Sequence, residues 1–199
     1  MTAVVVSEDD APYVRAVIVR LRSNGEYDPS FSGNGWKKVL RRDSALLSIA
    51  SAPHGRLVGA GRVGDSMLAT RVKESGAFDR SFAGDGVKRT KLGVRHGHAV
   101  AQDVMVQRNR KPLIAATFEI PFQKHGVILA RLRPNGDFDD SFSRDGKRTY
   151  RKLSRDLPAF WDAGMQANGK ILLTGHPGGS SRKAYVARLE NHGRPFVAP

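Results

Sequence analysis

The chain has 199 residues, 40% of them hydrophobic and 8% aromatic, a composition ordinary for a folded protein and unlike a disordered one. It contains no cysteine, which excludes disulfide frameworks, thiolate metal sites and cysteine nucleophiles. Against 19 acidic residues stand 33 Lys and Arg, a net charge of +14 that favours polyanionic partners such as nucleic acid, anionic lipid surfaces or acidic polymers.

The first residues, MTAVVVSEDD, begin with a short apolar run that lacks a positive n-region and turns acidic by residue 8, the wrong order for a secretory signal. As written, the chain is expected to stay in the cytoplasm or to belong to a longer parent. No stretch approaches the roughly 18 consecutive apolar residues of a membrane span. A strand is expected at Ala3 to Val6, followed by RLRSNGEYDPSFSGNGW at 20 to 36. Nearly the same string returns as RVKESGAFDRSFAGDGV at 71 to 87 and as RLRPNGDFDDSFSRDGK at 131 to 147. Arg20, Arg71, Arg131 and Arg188 fall in register at spacings of 51, 60 and 57 residues, as do Gly25, Gly76, Gly136 and Gly193. Self-similarity at such a period signals an array of supersecondary units, each stable only by stacking on its neighbours. The units are read as 1–42, 43–93, 94–153 and 154–199, forming one repeat domain.

Each unit divides into short runs rich in aliphatic and β-branched residues. The second offers ALLSIASA (45–52), RLVGAG (56–61), MLATRV (67–72) and VKRTK (87–91). The third offers AVAQDVMV (99–106), PLIAAT (112–117), VILARL (127–132) and KRTYR (147–151), and the fourth FWDAGMQA (160–167), ILLTG (171–175) and AYVARL (184–189). Such runs, bounded by turn formers and without a helical period, are strands. The Gly turns at 54–55 and 168–169 make consecutive strands antiparallel neighbours. The fold class is all-β. Four-stranded antiparallel sheets repeated along a chain are what propeller blades require, whereas a β-helix needs much shorter coils.

The core Asn-Gly-x-x-Asp-x-Ser-Phe-x-x-x-Gly, at Asn24 to Gly35, with Ser for Asn at Ser75 to Gly86, and again at Asn135 to Gly146, resembles the delta-60 repeat family of β-propellers. Together with GKILLTG at 169–175, the resemblance covers nearly the whole chain. It implies a propeller, usually within long surface or secreted bacterial proteins, and no known catalytic residues. By analogy with other propellers, ALLSIASA is the inner strand and VKRTK the outer one. The chain then begins at a second strand and ends after a third, and fourteen strands make about three and a half blades, where propellers usually close with four to eight. Two chains completing one ring, an excised piece of a longer array and a small ring with an irregular blade all answer the open edges, which otherwise invite self-association.

In the motif, Arg20 and Asp28, Arg71 and Asp79, and Arg131 and Asp139 each lie eight residues apart. Across a Gly-containing reversal the guanidinium could return to the carboxylate, or the Asp could cap nearby amides as an Asx-turn, with Phe31, Phe82 and Phe142 plugging the gap to the next blade. The functional alternative is a calcium loop built on Asp137, Asp139 and Asp145 or on Asp79 and Asp85. A hard cation wants six or more oxygens, usually with a bidentate acid, and no distal Glu appears. His96 and His98 would share a strand face, but spacing nominates no third metal ligand. No GxSxG elbow supports a hydrolytic triad, and Gly178 to Ser181 lack the rest of a phosphate loop. Trp36 and Trp161 are read as packing residues.

Basic residues follow the repeat: Lys37, Lys38, Arg41 and Arg42; Lys88, Arg89 and Lys91; Lys147, Arg148, Arg151 and Lys152. On outer strands they form a belt, read first as protection of edges against pairing and second as a phosphate-binding surface without sequence specificity. Aromatic stacking partners there are limited to Trp36 and Tyr150. The leading expectation is a non-enzymatic interaction module with a protein partner. A polyanion-binding protein using the belt is the alternative, and an enzyme with a central-channel site the least supported reading, since fold alone licenses no function.

Overall fold

The computed structural model describes residues 2–10, 13–40, 42–93, 97–120, 124–150, 159–176 and 184–189. Among them the chain is all-β. Its strands are β1 (Thr2–Asp10), β2 (Tyr13–Leu21), β3 (Trp36–Lys38), β4 (Ser44–Ala52), β5 (Arg56–Val63), β6 (Ser66–Val72), β7 (Val87–Thr90), β8 (His98–Val106), β9 (Pro112–Ile120), β10 (Lys124–Arg131), β11 (Lys147–Tyr150), β12 (Ala159–Met165), β13 (Ile171–His176) and β14 (Tyr185–Leu189). They form four antiparallel sheets, β1-β2-β3, β4-β5-β6-β7, β8-β9-β10-β11 and β12-β13-β14.

Register makes the sheets comparable. Arg20 pairs with Ala3, Arg71 with Val58, Arg131 with Leu113 and Arg188 with Leu172. Strands β1, β5, β9 and β13 are therefore equivalent. Among the described residues, the first sheet holds the second, third and fourth strands of this pattern and the last sheet the first, second and third.

Sheets pack face to face in chain order. Strand β4 lies against β8 and β8 against β12, while β1 and β2 lie against β4. The two-residue period of a strand sends alternate side chains to opposite neighbours. On β6, Leu68 and Val72 join Ile18 and Phe31 of the first sheet, whereas Met67 and Ala69 join Ile114 and Ile128 of the third. On β10, Ile128 and Ala130 face the second sheet, and Leu129 faces Phe160 and Leu173 of the fourth. Because both faces are covered, the middle strands read as continuous apolar runs rather than alternating ones.

Three irregularities recur at one place. Strands β4, β8 and β12 each carry a register shift, between Leu46 and Ser48, Ala101 and Asp103, and Phe160 and Asp162. A bulge leaves its extra residue off the ladder. Leu47 and Trp161 are accordingly exposed, the latter by 65%. Trp161 is thus not the packing residue expected from sequence, because the bulge turns it out of the face that packs. Trp36, on the short strand β3, is half-buried.

Candidate functional site

The three copies of the motif fold alike. In each, an Arg at or next to the end of the third strand has a backbone carbonyl that accepts a hydrogen bond from the Asp amide eight residues on, at 3.0 Å for Asp28 and 2.9 Å for both Asp79 and Asp139. That reversal carries the carboxylate to the guanidinium. Arg20 Nε lies 2.9 Å from Asp28 Oδ2, Arg71 Nε 2.8 Å from Asp79 Oδ2 and Arg131 Nε 2.6 Å from Asp139 Oδ2. The other carboxylate oxygen accepts from the Ser two residues later, through its amide and its hydroxyl. The hydroxyl distances are 2.7 Å from Ser30, 2.7 Å from Ser81 and 2.8 Å from Ser141. The same hydroxyls accept from Arg Nη2 at 2.6, 2.8 and 3.0 Å, closing a triangle of Arg, Asp and Ser. Beneath it lie the rings of Phe31, Phe82 and Phe142, with the guanidinium carbon 4.8, 5.0 and 4.8 Å from their centroids. Phe31 and Phe82 are fully buried, and Phe142 is half-buried.

The motif then reaches beyond its own sheet. Arg20 Nη1 donates to the Glu74 carbonyl, and the Ser32 amide donates to the Ser75 carbonyl at 2.8 Å. One unit later, Arg71 Nη1 donates to the Pro134 carbonyl, and the Ala83 amide to the Asn135 carbonyl at 2.7 Å. The corresponding acceptors for Arg131 and Ser143 would be residues 191 and 192, which lie outside the described residues.

A second cation meets two of the carboxylates. Arg56 Nε donates to Asp79 Oδ2 at 2.8 Å, and Lys111 Nζ to Asp139 Oδ2 at 2.7 Å. Burial alone would raise the pKa of Asp79, but the Ser81 hydrogen bond and the Arg71 charge outweigh it and hold the group below the usual carboxylate range. Asp139 is held further below, burial being overcome by Lys111, Ser141 and Arg131. For Asp28 the Ser30 hydroxyl is the largest cause of a lowered value. Arg71 pays for its burial with a lowered pKa that Asp79 partly offsets. The serines belong to the motif core quoted above, yet their part in the triangle was not assigned from sequence. Arg56 and Lys111 were not singled out at all, although a basic residue just ahead of the second strand recurs at Lys170 and was a usable signal.

The carboxylates nominated for calcium are turned to different partners. Asp85 accepts from the Val87 amide and pairs with Arg89, Asp137 accepts from Asn135, and Asp145 accepts from the Lys147 amide. No group of three metal-ligating side chains occurs among the described residues. His98 is exposed, 4.0 Å from Glu119, and its proposed companion His96 lies outside the described residues.

The basic belt divides. Lys37 and Lys38 lie on β3, Lys88 and Arg89 on β7, Lys147 and Arg148 on β11, with Lys91 directly after β7 and Arg42 in the connection from β3 to β4. Arg41, Arg151 and Lys152 lie outside the described residues. Lys37 sits 4.7 Å over the Phe78 ring of the next sheet, and Lys88 5.0 Å over Phe138, again of the next sheet. Lys147 also approaches Phe138, at 4.7 Å, and Arg148 lies 5.4 Å from the Tyr150 ring. Part of the belt is therefore engaged in joining sheets. Arg89, Lys91 and Arg148 are exposed.

A different fastening sits at the bulges. Asp103 on β8 accepts from the Ser48 hydroxyl of β4 and from the Ala163 amide of β12, the latter at 3.0 Å, so one carboxylate spans three sheets. Burial raises its pKa against these hydrogen bonds, and nearby Asp162 raises it further. A groove of about 310 Å³ follows the second junction, walled by Arg56, Arg71, Arg110 and Asn135. Each guanidinium nitrogen of Arg71 is already bonded within the protein. No protein-family model matches the chain, and no curated protein matches it.

Proposed function

We propose that the protein is a non-enzymatic interaction module, a stack of β-propeller blades of the delta-60 kind whose motif joins blade to blade and whose edges and rim meet a protein partner. One observation carries this reading: at both junctions where motif and following turn are described, the Arg, Asp and Ser side chains bond one another and, through Arg Nη1, the turn of the next sheet. A motif kept for a ligand would leave donors or oxygens turned outward. Support for the blades comes from packing of first strand on first strand through successive sheets. Among the described residues β1 and β14 each pair on one side only, which leaves strand completion as a route to a partner or to self-association. Light scattering of the purified chain at low and moderate salt, with a screen against ester, phosphoester and glycoside substrates, tests the reading. The expected result is a mass set by edge pairing and no turnover dependent on the motif. Turnover that disappears in a folded Ser81→Ala variant would overturn it.

A second reading is favoured by the equivalent placement of β3, β7 and β11, each bringing two adjacent basic residues to the same edge of its sheet. On this reading Arg89, Lys91 and Arg148 contact phosphates of a polyanion through salt-dependent contacts. Anisotropy of a labelled single-stranded DNA between about 50 and 300 mM salt is the measurement, and affinity indifferent to salt would eliminate it.

A further inference from the structure

The turn after Arg20 exposes a glycine and a ring whose counterparts in the other two turns are covered. Gly76 and Gly136 are buried beneath the preceding motif: a Cβ added to Gly76 would stand 2.8 Å from the Ser32 nitrogen and 3.1 Å from the Phe31 ring, and one on Gly136 would stand 2.8 Å from the Ala83 nitrogen. Gly25 has the same left-handed backbone, φ +84° against +80° and +90°, yet it is exposed and no described residue lies within 4 Å of such a Cβ. The ring two residues on tells the same story independently. Phe78 and Phe138 are half-buried, under Lys37 and Lys88, whereas Tyr27, which bridges to Leu21 as they bridge to Val72 and Leu132, is 60% exposed. Ser23 and Asn24 hold the sequence positions of the acceptors Glu74 and Ser75, which are equally exposed, but among the described residues no backbone amide is bonded to the Ser23 or Asn24 carbonyl.

We infer that the turn of residues 22–27 is a docking surface for a further polypeptide unit carrying this same Arg, Asp-x-Ser-Phe motif. The occupied turns define what the occupant brings: a guanidinium for the Ser23 carbonyl, an amide for the Asn24 carbonyl, a Phe ring over Gly25 and a Lys over the Tyr27 ring. The surface continues an interface that the protein already builds twice. The inference rests on the motif's being a joint between sheets, as proposed above, and adds the chemistry of the partner. It also explains a glycine at 25 beyond its turn, because any Cβ there would meet the incoming backbone.

The test extends the array. Ala3 and Leu113 share a register position, so residues 44–110 fused ahead of residue 1 continue the repeat and deliver the motif of Arg71 to the turn at 22–27. The expected result is amide exchange at Asn24 to Tyr27 slowed about tenfold or more relative to the unextended chain. That slowing should be lost in the extended Gly25→Asn variant, since Asn tolerates positive φ but carries the obstructing Cβ. Unchanged exchange at these residues, with the added segment itself protected, would overturn the inference and leave the scaffold reading standing; motif-dependent turnover in the unextended chain would overturn the scaffold reading and the inference with it. If the added segment does not fold, a synthetic peptide of residues 71–87 titrated into the unextended chain decides. Resonance shifts confined to 22–27 and absent in Gly25→Asn support the inference, and no shift up to about 1 mM, a weak-binding ceiling near 4 kcal/mol, overturns it. Concentration-dependent protection of Tyr27 in the unextended chain, with a doubled mass, would show the motif-bearing unit to be supplied by a second copy of the chain and would also support the inference.

Discussion

The turn after Arg20 and the turns after Arg71 and Arg131 share a sequence pattern, hydrogen bonds and positive φ, but among the described residues only the last two have a neighbouring motif pressed on them. The difference separates two reasons for glycine that are usually confounded. Among the described residues, only the backbone conformation asks for it at Gly25, whereas at Gly76 and Gly136 a close approach asks for it as well. Equivalent positions in a repeat thus act as internal controls, and substitutions made in parallel read the environment with local conformation held constant.

The largest expected effect is at the rings. Phe31→Ala and Phe82→Ala each remove a fully buried ring from a junction and should cost about 3–5 kcal/mol in denaturant unfolding, whereas half-buried Phe142 should cost clearly less. Equal losses at the three positions would break the comparison. Next comes Asp79→Asn, which leaves buried Arg71 without its countercharge and should cost about 3 kcal/mol. Asp79→Asn combined with Arg71→Leu should recover part of that loss, because no uncompensated buried guanidinium then remains.

Acid sharpens the same point. Asp28, Asp79 and Asp139 have folded pKa values below the unfolded carboxylate value of about 4, so their stabilisation is fully present above that pH and is lost as pH falls through the folded values. Asp103 has the opposite sign, its protonation favouring the fold. Unfolding free energy should therefore decline below about pH 4, and less steeply in Asp79→Asn. Smallest is Arg89→Ala, which breaks an exposed pair with Asp85 and should change stability by less than about 0.5 kcal/mol. A large loss there would show the rim to be more than solvated charge.

Strand identity and the repeat were legible because turn formers bracket short apolar runs and because Arg, Gly, Asp, Ser and Phe return at fixed offsets. The eight-residue spacing of Arg71 and Asp79 points to a reversal, and the structure has the two groups in contact. What the spacing could not contain was the reach of Arg71 Nη1 to the Pro134 carbonyl, since that acceptor belongs to another sheet and carries no side-chain signature. The bulges at Leu47, Gln102 and Trp161 were equally hidden, because a bulge is a property of two paired backbones. Lys37 and Lys88 looked like rim charges. Their contacts with Phe78 and Phe138 depend on how far one sheet stands from the next, a distance that no single strand encodes.

The most direct measurement is the unfolding free energy of Gly25→Asn, Gly76→Asn and Gly136→Asn made side by side. The conformational cost of Asn at positive φ is common to all three and cancels in the differences. If the motif locks each sheet onto the next, Gly76→Asn and Gly136→Asn should each be about 2 kcal/mol less stable than Gly25→Asn, because the added Cβ collides with backbone only at those two turns. Three equal losses would contradict the account.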